Sequence, residues 1–108
     1  MNTVLCYGLL AKPDRYYYRT VQVGQTIKFL CETNLLEDVN WKRMDVPVYI
    51  YVRGTLTLGN APRITVDKNS SYTLTILNVT TEDSTSYGCF EDDGYGSRRF
   101  YDLTVTGL

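Results

Sequence analysis

The sequence predicts an all-β chain folded as two antiparallel sheets packed face to face. Short β-prone runs alternate apolar and polar side chains. Clusters of Gly, Pro, Asn, Asp and Ser punctuate those runs. No segment holds an apolar period of a helix. The 108 residues suit one domain, 1–108, with a core of its own and no room for a second.

The elements follow in chain order. A first strand is expected near Val4–Tyr7, followed by a loop through Lys12-Pro13-Asp14. A short edge segment near Thr20–Val23 ends at Gly24. Thr26–Cys31 alternates, with Ile27, Phe29 and Cys31 on one face and Lys28 on the other. Val39–Met44 is a strand around Trp41, and Val48–Val52 alternates Val, Tyr, Ile, Tyr, Val. Arg53-Gly54 breaks that run before a short edge strand at Thr55–Leu58. After the turn Gly59-Asn60-Ala61-Pro62, Arg63–Val66 and Tyr72–Val79 form a hairpin. Ser86–Glu91 and Phe100–Thr106 form another. Eight or nine strands in this length require two sheets.

Composition narrows the chemistry. Formal net charge is −1, from 11 basic and 12 acidic residues, which does not favour nucleic acid or an anionic membrane surface. No apolar run is long enough to span a bilayer, so direct membrane insertion is not expected, and no secretory h-region is visible. Met1-Asn2 reads as a start joined to a trimmed ectodomain, with any signal peptide, stalk or anchor outside this sequence. Histidine is absent, which removes the commonest general base and the commonest neutral metal ligand. Neither a cofactor nor a metal is expected. Ten tyrosines suit strands and recognition surfaces alike.

Cys31 and Cys89 stand 58 residues apart, with Trp41 ten positions after the first. Tyr87 precedes Cys89 by two. The run Asp83-Ser84-Thr85-Ser86-Tyr87-Gly88-Cys89 resembles the D-x-A-x-Y-x-C signature of the immunoglobulin superfamily, with Thr85 in place of Ala. Leu74-Thr75-Ile76-Leu77-Asn78-Val79 resembles the L-x-I-x-x-V strand before it. The resemblance extends from Gly24 to Val105. It implies a two-sheet sandwich pinned by a Cys31–Cys89 disulfide, with Trp41 packed on the bridge. It also implies a tyrosine corner at Tyr87 and a structural Arg63–Asp83 pair. Variable-type domains match best, because Val48 to Arg63 leaves room for two extra strands. The short cysteine separation keeps an intermediate type open.

Some features depart from that pattern. Tyr16-Tyr17-Tyr18-Arg19 lies in an unusually long leading region, as an edge strand or bulge with exposed rings, or as a second contact patch. Cys6 is an odd thiol, free and partly buried or paired outside the domain. Phe100-Tyr101-Asp102-Leu103 replaces the F-G-x-G of antigen-receptor joining segments, which points to a germline-encoded receptor. Asn69-Ser70-Ser71 and Asn78-Val79-Thr80 are glycosylation sequons near turns on the tyrosine-corner side.

Strand alternation predicts the solvent side of the sheet that holds Trp41 and Cys89. Met44, Tyr49, Tyr51, Phe90 and Phe100 point outward, with Lys42, Asp92 and Asp102 around them. An aromatic patch with charged margins marks an interface. The loop Glu91–Arg99, with Tyr95 and Arg98, is either a specificity loop or a solvated hairpin tip; its acids lack the spacing of a calcium site. The expected function is therefore extracellular recognition or adhesion by a cell-surface receptor, as in immune or self/non-self recognition. The partner is a protein, and homophilic pairing is expected. A secreted binder of microbial or carbohydrate ligands is the alternative. An enzyme lacks a nucleophile–base set to build on.

Overall fold

The computed structural model describes residues 14–31, 39–45, 48–52, 55–57, 63–91 and 96–107. Nine strands occur among them: β1 (Arg15–Gln22), β2 (Ile27–Phe29), β3 (Val39–Arg43), β4 (Val48–Val52), β5 (Thr55–Leu56), β6 (Ile64–Asp67), β7 (Thr73–Ile76), β8 (Thr85–Glu91) and β9 (Arg98–Thr106). Short 3-10 turns at Lys68–Ser70 and Thr81–Asp83 join β6 to β7 and β7 to β8. The larger sheet runs β1-β9-β8-β3-β4-β5 and the smaller β2-β7-β6. All pairings are antiparallel except β1 with β9, which is parallel. Strands β4 and β5 extend the larger sheet beyond β3, the variable-type arrangement. The strand expected at Val4–Tyr7, the turn at Gly59–Pro62 and Cys6 lie outside the described residues.

The inward face of each strand supplies the core. Phe29, Trp41, Leu74, Ile76, Val79, Tyr87, Cys89 and Leu103 are almost wholly buried. Cys31, just after β2, is bonded to Cys89 on β8, with the two Cα atoms 5.8 Å apart, so the bridge ties one sheet to the other. Closing a loop of this length stabilises by about 4 kcal/mol in the chain-entropy model. The Trp41 indole lies in the same core, and its Nε1 donates to the Tyr72 carbonyl at 2.7 Å. Its one polar atom is thereby satisfied inside an apolar interior. The Phe29 ring stacks on Tyr101 with centroids 4.5 Å apart.

The end of the sandwich near Asp83 is organised by polar contacts. The Tyr87 hydroxyl donates to the Asp83 carbonyl at 2.6 Å, which closes the tyrosine corner. Burial pushes the Tyr87 hydroxyl pKa up to about 12. The Asp83 carboxylate accepts from Arg63 Nη2 at 2.6 Å and from the Thr80 amide at 2.8 Å. The Arg63 guanidinium also reaches the Leu77 and Asn78 carbonyls. Both the corner and the ion pair sit where the sequence resemblance puts them.

The leading strand differs from expectation. Instead of a short edge at Thr20–Val23, β1 begins at Arg15 and takes in the whole tyrosine run. Its register with β9 is unbroken from Arg15↔Arg99 to Gln22↔Thr106. Alternation explains the fit: Tyr17 and Val21 pack against the core, and Tyr16 and Tyr18 face solvent. A parallel partner 80 or so residues downstream leaves no local turn signal, so the pairing is not readable from the chain order.

Candidate protein-binding face

The outward side of the larger sheet carries an aligned row of side chains. Tyr16 on β1 is opposite Phe100 on β9, Phe100 opposite Gly88 on β8, Gly88 opposite Lys42 on β3, and Lys42 opposite Tyr49 on β4. The next row holds Tyr18, Asp102 and Ser86, and Met44 follows β3 with its amide bonded to the Ser86 carbonyl at 2.9 Å. The row on the other side holds Arg98, Phe90 and Asn40.

Ring contacts join these residues into a surface. Tyr16 stacks on Phe100 at 5.1 Å, and Phe100 meets Phe90 edge-on at 5.6 Å. The Lys42 ammonium lies 5.3 Å from the centre of the Tyr49 ring. Tyr16 is 62% exposed, Tyr18 73% and Tyr49 44%, so much aromatic area meets solvent at both ends of the row. Gly88 makes the centre possible. A Cβ at that position would lie 2.8 Å from Phe90 Cε2 and 3.1 Å from Phe100 Cε1, so both rings fold across bare backbone. Beside them is an open groove of about 240 Å³ lined by Tyr16, Tyr17, Tyr18, Met44, Ser86, Phe100 and Asp102.

Most of the residues expected on this face are there: Lys42, Met44, Tyr49, Phe90 and Phe100, with Asp102 at the margin. Arg98 is also there, its Nε donating to Asp14 at 2.8 Å. Tyr51 is a correction. Expected to point outward, it is 5% exposed and packs edge-on against Tyr72 in the core. The cause is a register shift between β3 and β4: Lys42 pairs with Tyr49 while its neighbour Trp41 pairs with Tyr51. Ile50 is the extra residue, and alternation flips after it, so Ile50 and Tyr51 both face inward. Burial accordingly raises the Tyr51 hydroxyl pKa. Asp92 and Tyr95 lie outside the described residues.

Sequence reasoning read the tyrosine run as an edge strand or bulge with exposed rings, or as a second contact patch; β1 is an edge strand with Tyr16 and Tyr18 exposed, but the reading did not join them to this face. They are its continuation, brought there by the pairing of β1 with β9. The alternation within Tyr16-Tyr17-Tyr18 was the available signal; the partner strand was not. The sequon residues Asn69 and Asn78 are exposed and belong to turns flanking β7, in the smaller sheet.

The match to known families decides the classification. The immunoglobulin V-set domain model matches residues 16–106, nearly all of the described sandwich. The chain belongs to the immunoglobulin V-set family. Solved structures similar to this V-set domain include the ZIG-8 IG1 homodimer, at TM-score 0.70 and 20% identity over 91% of this chain and 84% of that one. Dpr1 IG1 bound to DIP-eta IG1 is similar at TM-score 0.68 and 28% identity, over 86% of this chain and 92% of that one. The CD2-binding domain of CD58 is similar at TM-score 0.66 and 19% identity, over 83% of this chain and 53% of that one. No curated protein matches the sequence. Of these three structures, one is a homodimer, one is a domain bound to a second protein and one is a CD2-binding domain.

Proposed function

We propose that this chain, as one domain over residues 1–108, is the extracellular recognition or adhesion domain of a cell-surface receptor, and that it binds a second copy of itself. The binding surface is the outer face of the larger sheet. The observation that carries this is the aligned row Tyr16, Phe100, Gly88, Lys42 and Tyr49, with Phe90 and Met44 beside it. An outward sheet face is ordinarily polar. Tyrosine and phenylalanine anchor interfaces well because they bury much area with few rotatable bonds. A mixed rim of Lys42, Arg98 and Asp102 limits unspecific sticking while leaving the centre to desolvate.

Several observations support the setting. The Cys31–Cys89 bridge belongs to an oxidising compartment. The similar structures include a homodimer, a heterophilic pair and a domain named for its protein ligand. Glycans on exposed Asn69 and Asn78 would shield the smaller sheet and leave the aromatic face open. The role is binding rather than catalysis, with no cofactor required.

Sedimentation of the purified chain over a range of concentrations tests the proposal. A mass rising toward twice the monomer is expected, with Phe90→Asp and Tyr49→Asp each holding the chain monomeric at unchanged thermal stability. A native chain that stays monomeric at the highest concentration, or variants that dimerise like it, would sink the proposal. Aggregation of beads coated with the same chain then extends the test to surfaces.

A further inference from the structure

The face carries its charges off centre, on opposite sides of Gly88. Lys42 is one strand away on β3; Asp102 is one strand away on β9, in the row of Ser86. Within the chain the Lys42 ammonium rests on the Tyr49 ring. Asp102 is exposed, and among the described residues it has no ion pair and no side-chain hydrogen bond. It stands at the margin of the groove between Tyr18 and Phe100.

Resting on the homophilic reading above, we infer that Lys42 of each copy pairs with Asp102 of the other, and that these two symmetric contacts fix the register of the dimer. The sheet geometry allows both at once. Adjacent strands lie about 4.8 Å apart and alternate residues along a strand about 6.8 Å apart. A two-fold axis in the interface, crossing β8 between Ser86 and Gly88 and tilted about 35° from the strands, then carries each Lys42 onto Asp102 of the second copy. The same rotation sets Phe90 over Tyr16 of the second copy, ring against ring. The ammonium leaves one aromatic ring and enters a groove that offers a carboxylate flanked by two more rings.

Size makes this pairing matter. The patch measures about 24 Å across five strands and about 20 Å along them, below the area of a standard interface. Contacts of that class are weak, and charge placement then decides orientation and partner choice more than it adds affinity.

A charge-swap series read by sedimentation equilibrium tests the pairing. Lys42→Glu alone and Asp102→Lys alone each set two like-charge contacts in the dimer, and each is expected to weaken self-association about tenfold or more. An equimolar mixture of the two variants is expected to recover as a heterodimer, because the introduced acid meets the introduced base while the native Lys42 and Asp102 meet across the other contact. The double variant is expected to dimerise with itself and to refuse the native chain. Melting temperatures of all variants check that the fold is intact. Single variants that dimerise like the native chain, or a mixture that stays monomeric, would overturn the pairing; if Tyr49→Asp still disrupts the native dimer, the aromatic face stands without it. A native chain that is monomeric throughout removes the homophilic reading and the pairing together.

Discussion

Replacing Tyr87 by Phe removes one buried oxygen and almost nothing else. That oxygen donates to the Asp83 carbonyl at 2.6 Å, in a side chain 1% exposed. The ring keeps its tilted contact with Phe29. The loss is therefore the hydrogen bond plus an acceptor left unsatisfied, about 2 kcal/mol at neutral pH. In a domain of this size that lowers the melting temperature by roughly 10 °C. The pH dependence gives a second signature. Burial raises the hydroxyl pKa from 10.0 to about 12 in the folded chain. A group whose folded pKa is raised contributes its full stability below the unfolded value and loses it as pH climbs through the folded one. The loss for Tyr87 thus spans pH 10.0 to about 12 and amounts to about 3 kcal/mol. Tyr51, also raised by burial, adds to the alkaline loss in both proteins and cancels in their difference. Urea unfolding followed by Trp41 fluorescence, for native and Tyr87→Phe chains at matched pH, measures it. The stability gap is expected near neutrality and should close across the window. A variant as stable as the native chain near neutrality, or a gap constant through the window, would refute the reasoning.

Three other substitutions separate scaffold from surface. Arg63→Ala leaves the buried Asp83 carboxylate with the Thr80 amide as its remaining hydrogen-bond donor among the described residues, and a loss of about 1 kcal/mol in chemical unfolding is expected, discounted for the exposure of Arg63. Trp41→Phe deletes the bond to the Tyr72 carbonyl and leaves a cavity beside the disulfide; calorimetry should show a loss of about 2–4 kcal/mol. Gly88→Ala puts a methyl group into the Phe90 ring, so that ring must swing away; self-association measured by sedimentation should weaken severalfold while the melting point moves little.

Legibility in the sequence followed the range of the interaction. The bridge, Trp41, the corner at Tyr87 and the Arg63–Asp83 pair depend on fixed residue types at fixed places, so the resemblance to the immunoglobulin pattern located them. Alternation correctly turned Phe90 and Phe100 outward, because each lies in a strand of regular pleat, and Tyr49, which precedes the irregularity in β4. It failed at Tyr51, where an extra residue in β4 reversed the faces; nothing in Val48-Tyr49-Ile50-Tyr51-Val52 marks Ile50 as the bulge, since apolar and aromatic residues suit either side. The tyrosine run is an edge strand with exposed rings, as its residues suggest, but its place beside β9 was not legible: a parallel pairing between strands at the two ends of the chain is non-local, and the run has no turn to announce it.

Amide chemical shifts recorded during dilution of isotope-labelled native chain test most directly whether copies meet through the ring-bearing sheet. Concentration-dependent changes should gather on Tyr16, Lys42, Tyr49, Gly88, Phe90, Phe100 and Asp102, and spare β2, β6 and β7. Changes centred on the smaller sheet, or spectra that do not alter with concentration, would contradict the account.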